Sequence, residues 1–525
     1  MVRTQRLTLW LCLVFALPLS AAPRDDRVGG IIIKLQSAVA TAGVSAAMAS
    51  NLSATASHAL HVVREMSGDA TLLGLEAPVD RATAEAMAVE LSRRADVLYA
   101  VPNYRRWPSL VPNDARYNEQ WYLHAATVEP GGANLPQAWD ITTGAASTVV
   151  AVLDTGILAA HEDLDVSRIL PGYDFVEDNL ALNIDDNDPP DEGRDPDPTD
   201  PGDAVVANEC GGFPTVNVPS SWHGTLVTGV IGATTNNGLG IAGIDHNTSI
   251  LPVRVLGKCG GTDADIVDGA RWAMGLSVPN VADNPNPAKI LNLSLGGFAP
   301  CTQIYQEAFD YAQAQGVVVV VSAGNEGLDL DVEGADVAPA ECRGAFTIAA
   351  TTRQGGETDY TNIGSAVDIA APGGTANTAS EGILTTSDSG TIGPLNDNFY
   401  EAVIGTSFSA PVVSGIVALA LALNPSLTPE QLKQTLVFTA REFPENTTDS
   451  MTGACTTSRC GAGLVDAHAV VDAVQSGNIP GFFAGGTKIE VFGSNESRGG
   501  GLATTGLVLG LFAAAGWRYS MRRRC

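Results

Sequence analysis

Three short stretches carry side chains that could act together on a carbonyl group: VVAVLDTGI (149–157), SSWHGTLVTGVIGA (220–233) and GTSFSAP (405–411). A serine hydroxyl is a weak nucleophile at neutral pH. Acyl transfer therefore needs a histidine to take its proton and a carboxylate to orient the imidazole and stabilise its cation. Asp154 stands at the end of an apolar run, where a buried carboxylate is costly without a hydrogen-bonding partner. His223 precedes Gly224 at the head of a small-residue helix, and Ser407 precedes the long apolar stretch that runs to Leu423. Read alone, Ser407 is an N-cap, because serine is favoured there. Read with Asp154 and His223, it is a nucleophile at a helix amino terminus, with Gly405 allowing close backbone approach and Pro411 tolerated because the helix is only beginning.

The elements that must position these groups follow from hydrophobic patterning. The β-branched runs STVVAVLD (147–154), KILNLSLGG (289–297), VVVVVSAGN (317–325) and FTIAATT (346–352) alternate with alanine-rich helical stretches, Asp263 to Met274 and Gln303 to Gln315. Continuous apolar strands separated by helices indicate an α/β fold, a mostly parallel sheet covered on both faces in three layers. Ligands of such sheets gather at the carboxyl ends of strands, where Asp154 and Asn325 both lie. Ahead of this region, strand-like Val28 to Lys34 and Val97 to Val101 flank helix-like Thr83 to Arg94, which indicates a small α+β unit. The polar, proline-broken segment from Trp107 to Asp114 that follows is suited to cutting.

Bulk composition sets the compartment. With 29 basic against 58 acidic residues in 525, net −29, the chain has no basic surface for nucleic acid. Residues 1–21 read as a signal peptide, with Arg3 and Arg6, an apolar core from Leu7 to Leu19 and small residues after it. Of 8 cysteines, Cys12 lies in that signal and Cys525 ends the chain. Cys210, Cys259, Cys301, Cys342, Cys455 and Cys460 remain, an even set for an oxidising compartment. Six cysteines permit fifteen connectivities. Proximity selects Cys455 with Cys460, and local order gives Cys210 with Cys259 and Cys301 with Cys342. The acidic, proline-rich loop from Asp174 to Asn208 is either a solvated insertion or a calcium-binding loop, with Asp195, Asp197 and Asp200 as candidate ligands. Residues 477–501 form a glycine-rich linker, and 502–525 an apolar segment closed by arginines, in the pattern of an anchor with its basic end inside.

The order Asp154, His223, Ser407, together with DTGI, HGT, SLGG, SAGN and GTSFSAP, resembles the subtilases, the subtilisin-like serine proteases, over most of residues 112–476. The resemblance implies a subtilisin-like catalytic domain in that range and an inhibitory and chaperoning propeptide in 22–111, its end in the cleft until self-cleavage near Leu110 to Asn113. It implies Asp154, His223 and Ser407 as a catalytic triad, and an oxyanion hole from the Asn325 side-chain amide and the Ser407 backbone N–H. Ser294, Leu295, Gly296 and Gly297, with Ser322, Ala323 and Gly324, would bind an extended polypeptide substrate. No charged residue marks the pocket, so specificity is expected to be broad, favouring apolar or large side chains before the scissile bond. No cofactor is expected for catalysis; structural calcium is, with Asp163 and Asn237 as further ligands. Leu226 and Val412 stand where many members have histidine. The tail resembles the GlyGly-CTERM sorting signals of Gram-negative bacteria, with Gly499 to Gly501 as the glycines. That implies transient inner-membrane anchoring, a rhomboid-type sorting protease as partner, and a secreted or surface-attached monomer. A catalytically silent binding protein on the same fold and a protease dedicated to one partner are the rival readings.

Overall fold

The computed structural model describes residues 27–36, 44–105, 110–177, 193–212, 214–445 and 455–479. The signal segment, most of the glycine linker and the arginine-ended tail lie outside these residues.

The amino-terminal unit contains β1 (Val28–Leu35), α1 (Ala46–Ala56), β2 (Leu60–Glu65), β3 (Ala70–Val79), α2 (Arg81–Ser92) and β4 (Val97–Pro102). Its strands form an antiparallel sheet in the order β2-β3-β1-β4. Ile31 and Ile33 alternate inward and are buried against Leu52 of α1 and Leu91 of α2. This is the expected α+β unit. Arg81 of α2 makes a two-pronged ion pair with Asp472 in the carboxy-terminal region.

The larger region continues through α3 (Leu135–Trp139), β5 (Val149–Asp154), β6 (Tyr173–Asp174), α4 (His223–Gly232), β7 (Ser249–Arg254), α5 (Asp263–Ala273), β8 (Ile290–Leu293), β9 (Gly297–Phe298) and α6 (Gln303–Gln315). It is completed by β10 (Val318–Ser322), β11 (Val337–Ala338), β12 (Ala345–Thr351), β13 (Ile369–Pro372), β14 (Ile383–Ser387), β15 (Phe399–Val403), α7 (Thr406–Leu423), α8 (Pro429–Thr439) and α9 (Ala467–Ser476). Seven strands pair in parallel in the order β13-β12-β10-β8-β5-β7-β6.

Side-chain alternation along the strands decides which helix layer each residue meets. Val150, Val152, Ile290, Val318 and Val320 pack with Val227 and Val230 of α4 and Val413 and Val417 of α7. The intervening Ala151, Leu153, Leu291, Val319 and Val321 pack with Ile266 and Ala270 of α5 and Phe309 of α6. Asp154 shares the parity of Val150 and Val152, so it emerges on the face that carries α4 and α7. The apolar helix α7, long and apolar enough by itself to cross a membrane, is largely buried between this sheet and α4 and α9.

Three disulfides close the pairs expected from chain order: Cys210–Cys259, Cys301–Cys342 and Cys455–Cys460.

Candidate active site

Asp154 is fully buried at the carboxyl end of β5. Its Oδ1 accepts from the Thr155 amide at 2.8 Å and from His223 Nδ1 at 2.8 Å, while its Oδ2 has no partner. The pair fixes the imidazole with Nδ1 protonated and Nε2 directed away from the carboxylate. Burial works against the charged imidazole, but the Asp154 charge and hydrogen bond outweigh it and hold the His223 pKa above its ordinary value; Asp203 and Asp200 add to this. The ring packs against Phe408 at a centroid distance of 5.6 Å.

His223 opens α4 and Ser407 lies in the first turn of α7. The N-cap of α7 is Gly405 at φ 144, a backbone region that side chains disfavour, so Ser407 is not a cap. Pro411 sits deeper than expected, inside the helix. It has no N–H for the Ser407 carbonyl four residues earlier. That carbonyl accepts instead from Ser294 Oγ at 2.8 Å, and Ser407 Oγ donates back to the Ser294 carbonyl at 3.2 Å. Ser294 Oγ in turn accepts from Asn292 Nδ2 at 2.9 Å, and Asn292 Oδ1 accepts from Ser414 Oγ at 2.8 Å. A buried polar chain thus ties the middle of α7 to β8 and sets the height of the Ser407 turn. Sequence patterning gave no sign of Asn292 or Ser414, since each looks like an isolated polar residue in an apolar run.

Asn325 follows β10. Its Oδ1 accepts from the Thr406 amide at 2.8 Å and Thr406 Oγ1 at 2.9 Å. Because a backbone N–H can only donate, this assigns the oxygen and leaves the side-chain NH2 free to donate elsewhere. The sequence shows Thr406 only as the polar neighbour of Ser407 and assigns it no role, yet it is what aims that amide.

His223, Ser407 and Asn325 line one cavity of about 650 Å³ with Ser294, Leu295, Gly296, Gly297, Ser322 and Gly324. Asp154 lies beneath it. Ala323 does not reach the cavity: the alternation that turns Ser322 and Gly324 outward buries Ala323 against Ala349, Ile363 and Ala370. Gly296 and Gly297 are exposed, leaving backbone accessible to an extended chain. Asp203, Lys258, Asp263 and Glu326 also line the cavity. No described residue of the amino-terminal unit does. The segment after it is seated elsewhere: the Leu110 amide donates to Asp140, and Ala115 and Arg116 donate to the carbonyls of Leu239 and Gly240.

The candidate cation ligands divide into two sets. Asp163 is fully buried, its Oδ1 accepting from Asn237 Nδ2 and its Oδ2 from the Ile241 amide, both at 2.7 Å. Asp114, missed in the sequence, is buried nearby with Oδ2 on the Asn236 amide and Oδ1 without a partner. Burial pushes both carboxyls above the usual range, and the Asp163 charge raises Asp114 further. Two neighbouring buried carboxylates, one with an orphaned oxygen, are hard oxygen donors of the kind calcium takes, so these carboxylates fit calcium, while Asn237 turns its NH2 to Asp163 and its Oδ1 to the Leu239 amide.

The acidic-loop set does not. Asp195 is half-buried and Asp197 exposed, and they cap turns by accepting from the Asp197 and Thr199 amides. Asp200 is turned inward, where its Oδ2 accepts from Thr155 Oγ1 at 2.6 Å and burial pushes its carboxyl up to about 7. Thr155 Oγ1 also accepts from the Gly224 amide at 3.0 Å, so Asp200 braces the turn beside His223. Among the described residues these three carboxylates do not converge on one point. The middle of the loop, 178–192, lies outside the described residues.

A model described as the subtilase family matches residues 145–463. The chain is 39% identical over 451 residues to an extracellular protease of Xanthomonas campestris pv. campestris, covering 86% of this chain and 72% of that protein. It is 37% identical over 391 residues to the extracellular basic protease of Dichelobacter nodosus, covering 73% of this chain and 59% of that one. Among solved structures, one described as proteases from Pseudoalteromonas arctica aligns with a TM-score of 0.62 at 45% identity, over 70% of this chain and 100% of that chain.

Proposed function

The chain belongs to the subtilase family and is a subtilisin-like serine endopeptidase, and on that premise we propose that Ser407, His223 and Asp154 carry its reaction. Ser407 Oγ attacks the scissile carbonyl as His223 Nε2 takes its proton; the imidazolium, held by Asp154, then protonates the leaving amine, and water releases the acyl group by the same relay. The Asn325 side-chain amide and the Ser407 backbone N–H donate to the oxyanion. The single observation that supports this reading best is the His223 Nδ1 to Asp154 Oδ1 bond of 2.8 Å in the same site as Ser407 and Asn325. In this structure Ser407 Oγ donates to the Ser294 carbonyl at 3.2 Å, a bond that must be given up for the imidazole when the hydroxyl attacks. The test is a fluorophosphonate probe: peptide mapping should find it on Ser407, and a probe that labels elsewhere or nowhere would overturn the assignment.

We further propose secretion through the signal segment, as the names of the extracellular relatives support, and autocatalytic removal of 22–111. Cleavage is read as broad, with apolar or large residues favoured before the scissile bond. The tail reading, transient anchoring and removal by a rhomboid-type protease, is carried by residues 499–525 alone.

Calcium is proposed at Asp114 and Asp163, where it would neutralise buried charge. The sign follows from burial: carboxyls whose folded pKa is raised cost stability once pH exceeds their unfolded value, and a bound cation offsets that cost. Chelation at pH 7.5 should lower Tm by about 5 °C. Asp163→Asn should lose the calcium response while being no less stable than the chelated parent. An unchanged Tm on chelation would refute the site.

A further inference from the structure

The acidic loop was singled out as a possible cation site, yet one of its residues lines the substrate cavity. Asp203 shares that cavity with His223 and Thr155. Its carboxylate is fixed there by two hydrogen bonds from one residue, the Ser221 amide to Oδ1 at 2.6 Å and Ser221 Oγ to Oδ2 at 2.7 Å. Among the described residues no cation pairs with it, and Lys258, the cation of the same cavity, is held by Glu209 at 3.0 Å.

An extended substrate laid along the exposed backbone of Gly296 and Gly297 sends successive side chains to opposite faces. The side chain at the scissile carbonyl enters between the segments 294–297 and 322–324. In that pose the preceding one points away from those segments, to the part of the cavity lined by Thr155, Asp203 and His223, where the Asp203 carboxylate is held by Ser221, two residues before His223. We propose that Asp203 is a specificity-determining residue that receives a lysine or arginine at the substrate position immediately before the scissile residue. This rests on the triad reading above. The charge of Asp203 already reaches this wall, since it helps to raise the His223 pKa.

The test uses mature enzyme and internally quenched peptides that differ only at that position, carrying lysine, alanine or glutamate. At low salt, kcat/KM should be about three to ten times higher for lysine than for alanine, with glutamate lowest. Raising NaCl from about 50 mM to about 1 M should draw the three values together. Asp203→Asn should bring the lysine-to-alanine ratio to about one. Because Asp263 and Glu326 line the same cavity, the salt series by itself can only overturn the proposal; if Asp203→Asn does not fold, Asp203→Ser is the second variant, and it should likewise bring the ratio to about one. The proposal is overturned if lysine is not preferred at low salt, if the preference ignores salt, or if a folded Asp203→Asn enzyme keeps it. Hydrolysis of the alanine peptide, blocked by a fluorophosphonate, reads the endopeptidase chemistry separately from the role of Asp203.

Discussion

Replacing Ser407 by alanine should leave the purified precursor uncut near Leu110 to Asn113 and lower kcat on a peptide substrate by about a millionfold, the scale of losing a triad nucleophile. The substitution removes one hydroxyl from a turn whose carbonyl is still held by Ser294 Oγ, so the fold should survive and the loss should be chemical. The structure adds a condition on maturation. Asn113 Oδ1 accepts from the Gly238 amide at 2.9 Å, and Asp114 Oδ2 from the Asn236 amide at 2.9 Å, which seats the junction away from the cavity. Self-cleavage in the same molecule requires that seat to be vacant while the junction lies at Ser407, and filled afterwards. A trace of mature parent enzyme should therefore cut the Ser407→Ala precursor in trans, giving the mature amino terminus by mass spectrometry. Maturation of Ser407→Ala at the parental rate with no protease added would sink self-cleavage.

The sequence made the central layers legible because parallel strands buried on both faces are continuous β-branched runs: the stretches ending at Asp154, Gly297 and Asn325 contain β5, β8 and β10, the one ending at Thr352 covers all of β12 but its first residue, and Gln303–Gln315 is α6 as expected. Elements with weaker contrast escaped. The alanine- and serine-rich α1 reads as neither period, and the hairpin of β14 and β15 alternates too little to stand out. At the site, Asp154, His223, Ser407 and Asn325 stand out in the sequence by their chemistry, whereas the residues that aim them do not. Thr406 acts on Asn325, 81 positions away, and Ser414 on Asn292, 122 positions away, and no local pattern encodes such bonds. The inward turn of Asp200 escaped for the same reason, since composition counts a carboxylate but not the hydroxyl of Thr155 that receives it.

Replacing Asp154 by asparagine should lower kcat at neutral pH by about ten-thousandfold, because the amide can donate to Nδ1 and leave the imidazole in the wrong tautomer. The pH profile separates this effect from misfolding. In the parent enzyme His223 must be neutral to accept the Ser407 proton, and its pKa stands above the ordinary 6.5, so kcat/KM should rise with pH through an inflection above that value. Removing the Asp154 charge removes the largest influence that raises this pKa and leaves burial, which lowers it, only partly opposed by Asp200 and Asp203. The acid limb of Asp154→Asn should therefore move to lower pH even as its plateau falls, and the deficit should narrow as the medium is acidified. Partial unfolding would lower the plateau without moving the limb downward. A limb that stays fixed or moves up, or a loss of less than about tenfold at neutral pH, would mean that the bond of 2.8 Å between Asp154 and His223 is not what readies the base.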